Sequence, residues 1–390
     1  MLSDDRRGIV TGNIYDLAPD LTSLGWTTRL DKWADRNGAE LRGRVARTHR
    51  GTCVVFVGDQ KAVTATSGSI RSRTGLAPAT GDFVAIRSDE ENDGEYIISA
   101  IADRKTALVR RAPGRVPEPQ VLAANIDDVF VMQGMDRPVN FPRLERLLVI
   151  AWDSGAEPVV LLTKADQVAD PDGAVRAIQV IAPGVKCLAI STHSGRNIEE
   201  VEKRIRGNRT VALIGLSGIG KSTLVNTLSG GEVQRTGQVR AVDRRGRHTT
   251  VTRDLIPLPG GGIVVDTPGI REIALWNART GLAKAFPLIT HAAQMCKFTD
   301  CTHHREPDCA VRRLVSDRQI SRRRVEHYLK LTAELDVQDE QLLEFERRSE
   351  SRARVNAEER SERGVQRHGQ RSSSKKGSNR QKSGRRRKGR

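Results

Sequence analysis

From residue 40 onward, short runs of β-branched and aromatic residues alternate with glycines and charged turns. GRVARTHRGTCVVFVG, KAVTATSGSIR, GDFVAIRS and GEYIISAIADR fit strands bounded by turn residues. About five such runs in some seventy residues suit a small barrel of the oligonucleotide-binding (OB) type, and periodicity alone fits other small barrels as well. Ahead of them, LGWTTRLDKWAD predicts a short helix that packs on a neighbour. RRAPGRVPEPQ (110–120) carries three prolines and reads as a linker. From Ile126 the pattern becomes α/β. DDVFVMQ, PVVLLT, VKCLAIS, TVALIG, RDLIPLP and GGIVVD predict six strands, and FPRLERLLVIAWDSG and NIEEVEKRI predict helices between them. Such alternation implies a mainly parallel sheet covered on both faces. After Glu272 the pattern is helical and charged. From about Ser349 it has almost no apolar residue, and a segment of that kind cannot bury enough surface to fold.

Composition changes this picture in three respects. The net charge is +17 over 390 residues, and a chain so basic usually meets a polyanion, nucleic acid first. Residues 352–390, however, hold 15 basic against 3 acidic residues, so the tail carries +12 of that excess. No apolar run approaches the ~18 residues of a membrane span, and MLSDDRRG has no signal or transit pattern. A cytoplasmic protein without membrane contact is expected. In that compartment the five cysteines argue against disulfides.

The candidate chemistry begins at Gly215-Leu216-Ser217-Gly218-Ile219-Gly220-Lys221-Ser222, followed by Thr223, which matches G-x-x-x-x-G-K-[ST] between a strand and a helix. Glycines let successive N–H groups face phosphate oxygens. Lys221 would reach the β/γ oxygens, and Ser222 would give a hydroxyl to Mg²⁺. Asp266-Thr-Pro-Gly269 ends a later strand: its carboxylate can hold Mg²⁺ through water, and the Gly269 N–H can sense a γ-phosphate. Thr163-Lys164-Ala165-Asp166 follows another strand. Guanine offers N1–H and N2–H₂ donors that one carboxylate, Asp166, can accept together, with Lys164 along the base plane. Ser191-Thr-His-Ser-Gly195 could bring backbone N–H groups to guanine O6. Each of the last three is weak alone. Together they are the phosphate-reading and guanine-reading parts of a GTPase, with the guanine parts translated first. A circular permutation accounts for that order: strands four to six of an ordinary GTPase sheet precede strands one to three, which is tolerated where old termini lay close.

Cys296-x₄-Cys301-x-His303-x₅-Cys309 offers three thiolates and an imidazole within fourteen residues, enough for a closed, structural Zn²⁺ site, with His304 an alternative to His303. Cys53 and Cys187 sit in strand patterns and read as core.

From about Glu40 to Leu329 the sequence resembles the small-ribosomal-subunit-dependent GTPase A family of circularly permuted bacterial GTPases, and the motif order makes the resemblance specific. It implies a multidomain protein: an OB-fold barrel, an α/β circularly permuted P-loop GTPase domain and an α-helical zinc-binding C-terminal domain. The expected division is an N-terminal extension (1–38), the RNA-binding barrel (39–112), the GTPase domain (113–272), the zinc domain (273–345) and a disordered basic tail (346–390). The resemblance favours His303 as the fourth zinc ligand. It implies GTP hydrolysis stimulated by the small (30S) ribosomal subunit, contact with 16S rRNA and a role late in subunit maturation; a monomer is expected. Thr163 departs from the family of GTPases at large, which carry Asn there, and its missing amide implies a weaker hold on the base.

Hydrolysis requires an oriented water. The position after Asp266-Thr-Pro-Gly269, where many GTPases have Gln, is Ile270. RRGRHTTVTRD (244–254) occupies the place of the first switch. Thr249 or Thr250 can give a second hydroxyl to Mg²⁺, Thr250 being preferred, and His248 is the candidate water-positioning group, which the resemblance also implies. The catalytic set is thus His248, Lys221 and Thr250. Ile270 and Thr163 leave a second function class open, an RNA-binding structural assembly module whose nucleotide site scarcely hydrolyses. Lys221, Ser222, Asp266 and the switch threonines favour the enzyme, and Asp166 disfavours an ATPase or metabolite kinase.

Overall fold

The β-rich runs after residue 40 close on themselves. In the computed structural model of the chain, residues 3–4, 10–11, 20–49, 51–58, 61–67, 70, 76–89, 95–112, 118–231, 253–266, 274–344 and 347 are described. The chain forms two compact units, Met1–Pro113 with Glu118–Leu335, and Gly114–Pro117 with Asp336–Arg390. Every element below belongs to the first unit except the last turns of the C-terminal helix.

Two short strands, β1 (Ser3–Asp4) and β2 (Val10–Thr11), pair antiparallel. Helix α1 (Thr28–Arg36) is the helix expected from LGWTTRLDKWAD. Strands β3 (Leu41–Thr48), β4 (Thr52–Gly58), β5 (Lys61–Thr66), β6 (Phe83–Asp89) and β7 (Glu95–Ile101) follow. Their order is β3-β4-β5-β7-β6, and β6 pairs back onto β3 to close a five-stranded, OB-like barrel. The β5–β7 pairing is parallel and the other barrel pairings antiparallel. Val45, Val55, Val63, Val84, Ile86 and Ile98 fill the interior with Cys53, as expected of a core cysteine. Burial pushes the Cys53 thiol up to about 12, so it is inert.

Strands β8 (Ala107–Arg111) and β9 (Pro119–Ala124) form an antiparallel hairpin. The linker expected over 110–120 is corrected at both ends, since Arg110 pairs with Gln120 and Arg111 with Pro119. Burial of Leu108, Leu122, Ala123 and Ala124 outweighs the proline signal, and proline is tolerated where Pro119 stands, at the first residue of a strand. The hairpin has one strand on each side of the expected 112/113 boundary.

The α/β region contains β10 (Asp128–Gly134), α2 (Phe141–Asp153), β11 (Glu157–Thr163), α3 (Pro171–Ile181), β12 (Lys186–Ala189), α4 (Ile198–Ile205), β13 (Thr210–Ile214), α5 (Lys221–Ser229), β14 (Asp254–Pro257) and β15 (Ile263–Asp266). All six expected strands form. Their spatial order is β12-β11-β10-β13-β15-β14, parallel except for β14. The phosphate-loop strand, β13, therefore lies between β10 and β15, and the half translated first (β10–β12) completes the sheet on one side of it. Alternate residues of each strand feed opposite faces. Val129, Val131, Val160, Leu162, Ala212 and Ile214 join one core with α2 and α3. Phe130, Met132, Val159, Leu161, Val211 and Leu213 join another with α4 and α5. Burial on both sides is why these strands read as unbroken apolar runs.

Edge strand β14 also pairs with β3 at Asp254 and Arg47, whose side chains form an ion pair, so the barrel and the sheet are continuous. Arg44 reinforces the junction. Its buried guanidinium donates to the Leu24, Gly81 and Asn125 carbonyls and to Thr210 Oγ1, at 2.8 to 3.1 Å.

Among the described residues four helices follow: α6 (Arg279–Ala285), α7 (Pro287–Gln294), α8 (Ala310–Ser316) and α9 (322–344). Helix α6 packs closely on α2, because a Cβ on Gly281 would lie 2.1 Å from the Val149 carbonyl oxygen. Phe286, Ile289, Leu331 and Leu335 extend the core on the α2 face. Of the tail expected to be disordered (346–390), all but residue 347 lies outside the described residues.

Candidate nucleotide site and metal centre

The strand ends along one edge of the sheet carry the motifs. After β13 the chain turns at Gly215, where φ is +148° and a Cβ would lie 2.4 Å from Ile219 Cδ1 and 2.6 Å from the Met132 carbonyl oxygen. No other residue fits that position. Leu216, Ser217, Gly218, Ile219 and Gly220 form the loop, with Ser217 and Gly218 exposed and Ile219 buried as its anchor. Helix α5 starts at Lys221, so Lys221, Ser222 and Thr223 form its first turn and its positive end faces the loop. Lys221 Nζ donates to the Gly215 and Leu216 carbonyls at 2.8 and 2.7 Å. Burial lowers its pKa, and the charge of nearby Asp266, at the end of β15, opposes that shift.

The guanine-reading segment follows β11. Thr163 is buried, and its Oγ1 donates to the Ile219 carbonyl at 2.6 Å. Its hydroxyl is therefore engaged by the phosphate loop. Lys164 adopts the left-handed conformation (φ +61°), uncommon for a residue with a Cβ. Ala165 and Asp166 begin a short 3₁₀ turn, and the Ala165 N–H donates to the Ile190 carbonyl at 3.1 Å. Asp166 is exposed. Its Oδ1 accepts from Ser191 Oγ at 2.6 Å, and that bond foremost holds the carboxyl below its usual range. Ser191 is buried and also accepts from the Ser194 N–H at 3.1 Å, which shapes the turn after β12.

Two hydrogen bonds thus join three of the motifs, Thr163 to Ile219 and Asp166 to Ser191, and strand pairing brings in the fourth, Asp266 lying opposite Leu213 of the phosphate-loop strand. The sequence separation from Thr163 to Asp266 is bridged by strand order alone. His248, Thr249, Thr250, Gly269 and Ile270 lie outside the described residues. Sequence reasoning missed Asp136, whose Oδ2 accepts from Lys164 Nζ at 2.8 Å. Its signal was its place, just beyond the carboxyl end of a parallel strand, where ligands of α/β sheets gather.

The Cys296, Cys301, His303 and Cys309 donor atoms all lie within 4.8 Å of one another and form a group that can hold a metal ion. Cys296 Sγ is 3.5 Å from His303 Nδ1 and 3.8 Å from Cys309 Sγ, and Cys309 Sγ is 3.4 Å from His303 Nδ1. His303 has φ +63°, and His304 is not in the group. Glu306 accepts from the Thr302 N–H at 2.8 Å, from the Thr302 hydroxyl and from the Arg305 N–H at 3.0 Å, which holds the loop between ligands. These bonds, the Thr302 hydroxyl first, keep its carboxyl at about 2.

Of the basic run Arg322-Arg323-Arg324, Arg322 is exposed and pairs with Glu326, and Arg323 is exposed. Arg324 turns inward, donating to the Ala285 carbonyl at 3.1 Å and lying 3.3 Å from Glu145. No helix among the described residues is long and apolar enough to cross a membrane.

A protein named small ribosomal subunit biogenesis GTPase RsgA from Methanosarcina acetivorans is 40% identical over 315 residues, covering 80% of this chain and 85% of its own. This chain belongs to the RsgA GTPase family. The RsgA GTPase family model matches residues 101–276. The protein of the same name from Streptomyces coelicolor is 38% identical over 330 residues, 80% of this chain and 86% of its own. A second family model, described as a 50S ribosome-binding GTPase, matches residues 210–353, beginning at the phosphate-loop strand, as expected when the guanine half comes first. The crystal structure of YjeQ from Thermotoga maritima aligns with a TM-score of 0.56 at 27% identity, covering 76% of this chain and 98% of that one. YloQ, titled a circularly permuted GTPase, aligns at 0.53 and 22% identity over 76% and 95%, a likeness of fold. The protein is thus a circularly permuted RsgA-family GTPase, as its motif order implied.

Proposed function

We propose that this RsgA-family GTPase binds the small ribosomal subunit through rRNA late in maturation and hydrolyses GTP to GDP and phosphate there, faster with the subunit than without it. The observation that carries the reading is the placement of phosphate loop, guanine loop, the Ser191 turn and Asp266 along one sheet edge. The names of the relatives point to the same partner. In this reading Asp166 accepts from the guanine N1–H and N2–H₂, and Lys164 lies along the base. Lys221 leaves the loop carbonyls for the β/γ oxygens. Ser222 and Thr250 face Mg²⁺, with Asp266 reaching it through water. The Gly269 N–H senses the γ-phosphate, and His248 orients the attacking water. The cytoplasm is the compartment that fits such a partner.

The metal of the Cys₃His group is zinc in this reading. Zinc with sulfur at about 2.3 Å and nitrogen at about 2.0–2.1 Å makes a tetrahedron with edges of roughly 3.4–3.8 Å. The separations among Cys296, His303 and Cys309, 3.4, 3.5 and 3.8 Å, fit it. Four protein donors leave no open position, so the ion is structural. The exposed arginines of α9 and the barrel surface supply phosphate contacts, and RNA binding should therefore weaken steeply with salt. The test is phosphate release from GTP by the full chain with and without purified small subunits, in the presence of excess ATP. Stimulated, ATP-insensitive release is expected; turnover equal in both conditions would contradict the reading.

A further inference from the structure

The pocket has a charged residue that none of its motifs includes. Asp136 lies two residues beyond β10, the strand that separates the phosphate-loop strand from the guanine-loop strand. Its place is built rather than incidental. The N–H of Met135, its neighbour, donates to the Thr163 carbonyl at 3.0 Å, which fixes the backbone against the guanine loop. Gly134 leaves the room that the carboxylate occupies: a Cβ there would lie 2.5 Å from Asp136 Oδ1. Asp136 Oδ2 then accepts from Lys164 Nζ at 2.8 Å, with Arg137 Nη2 at 3.4 Å.

The backbone around Lys164 is fixed on both sides, by Thr163 on Ile219 and by the Ala165 N–H on Ile190. What remains free is the long lysine side chain, which loses rotamer freedom when it is ordered. Asp136 is its one ion-pair partner among the described residues. A ligand that meets an already ordered side chain binds more tightly than one that must order it.

We propose that Asp136 is a positioning residue for the guanine nucleotide, holding the Lys164 side chain in the line where its methylene stem covers the purine face. The inference rests on the reading of this pocket as the guanine site. A stem over the ring face reads no base edge, so the contribution is the same for guanine and hypoxanthine. It acts on binding and leaves the chemical step alone. A half-exposed ion pair is worth up to about 1 kcal/mol, which is roughly a fivefold change in affinity.

The test is displacement of a fluorescent GDP analogue from the full chain by GDP, IDP and ADP, in wild type, Asp136→Asn, Asp136→Glu, Lys164→Met and the Asp136→Asn/Lys164→Met pair, with melting temperature measured for each. Asp136→Asn should weaken GDP and IDP by the same factor, about three- to fivefold, and raise KM with kcat unchanged. Asp136→Glu should recover part of the loss, and Asp136→Asn should add nothing in the Lys164→Met background. Unchanged GDP affinity in a folded Asp136→Asn, or a loss that persists without the lysine, overturns the proposal. If wild type itself fails to prefer GDP over ADP, the pocket's reading as a guanine site fails instead. Should Asp136→Asn melt markedly lower, Asp136→Glu decides, made both alone and with Lys164→Met: an affinity shift confined to the Lys164-containing chain supports the proposal, and one independent of Lys164 overturns it.

Discussion

The nucleotide pocket and the Cys₃His group are built in opposite ways. The pocket draws on residues from Thr163 to Asp266, and its parts meet because β10, β11, β13 and β15 are neighbours in one sheet. The metal group draws on fourteen residues, and its parts meet because a loop curls between α7 and α8. A site assembled by strand order survives cutting and rejoining of the chain, since each motif keeps its spatial neighbour whatever its place in the sequence. A site assembled by a loop needs its ligands close in sequence, and the polar residues of 296–309 are expected to need a bound ion for their fold. The first should therefore fail through single contacts, the second through loss of the metal.

The largest effect is expected from Lys221→Ala. In the proposed reading it removes the side chain that meets the β/γ oxygens, and GTP turnover measured by phosphate release should fall by roughly a hundredfold or more. Retained turnover would place the chemistry elsewhere. Next comes metal removal. Chelation, or Cys309→Ser, should open residues 296–309 to limited proteolysis while GDP affinity stays within about twofold, since the two sites share no ligand. A parallel collapse of nucleotide binding would show that the two constructions are less independent than their geometry. Smaller again is Thr163→Val, which leaves the Ile219 carbonyl without its donor. About 1–2 kcal/mol is at stake, or roughly five- to thirtyfold in GDP affinity. The ratio of GDP to IDP affinity should not change, because the hydroxyl faces the phosphate loop. Thr163→Ser should restore binding.

The same contrast decides what the sequence revealed. Both local signals were legible: the Cys/His spacing by itself, and the glycine-rich loop between a strand and a helix. All six sheet strands were legible as well, because burial on both faces leaves uninterrupted apolar runs such as DVFVMQG and TVALI. The long-range contacts were not. Nothing near Arg47 announces Asp254 as its partner, and nothing in GMDRP marks Asp136 as the neighbour of Lys164. The bond from the Thr163 hydroxyl to Ile219 was not legible either, because a one-letter change at a motif position does not say which way the side chain turns. The hairpin of β8 and β9 was hidden because prolines dominate RRAPGRVPEPQ, and the buried leucines that stabilise it lie at its edges.

The central claim is that the permuted sheet brings Asp166 to the base of the nucleotide whose phosphates Lys221 binds. The most direct measurement is the affinity for GDP and for xanthosine diphosphate in wild type and Asp166→Asn. Xanthine carries a carbonyl where guanine carries its 2-amino donor, so a carboxylate accepts from guanine and an amide can donate to xanthine. The account predicts a crossover: wild type prefers GDP, and Asp166→Asn loses GDP and gains the xanthine nucleotide. Equal GDP affinity in both proteins, with Lys221→Ala still abolishing turnover, would contradict it.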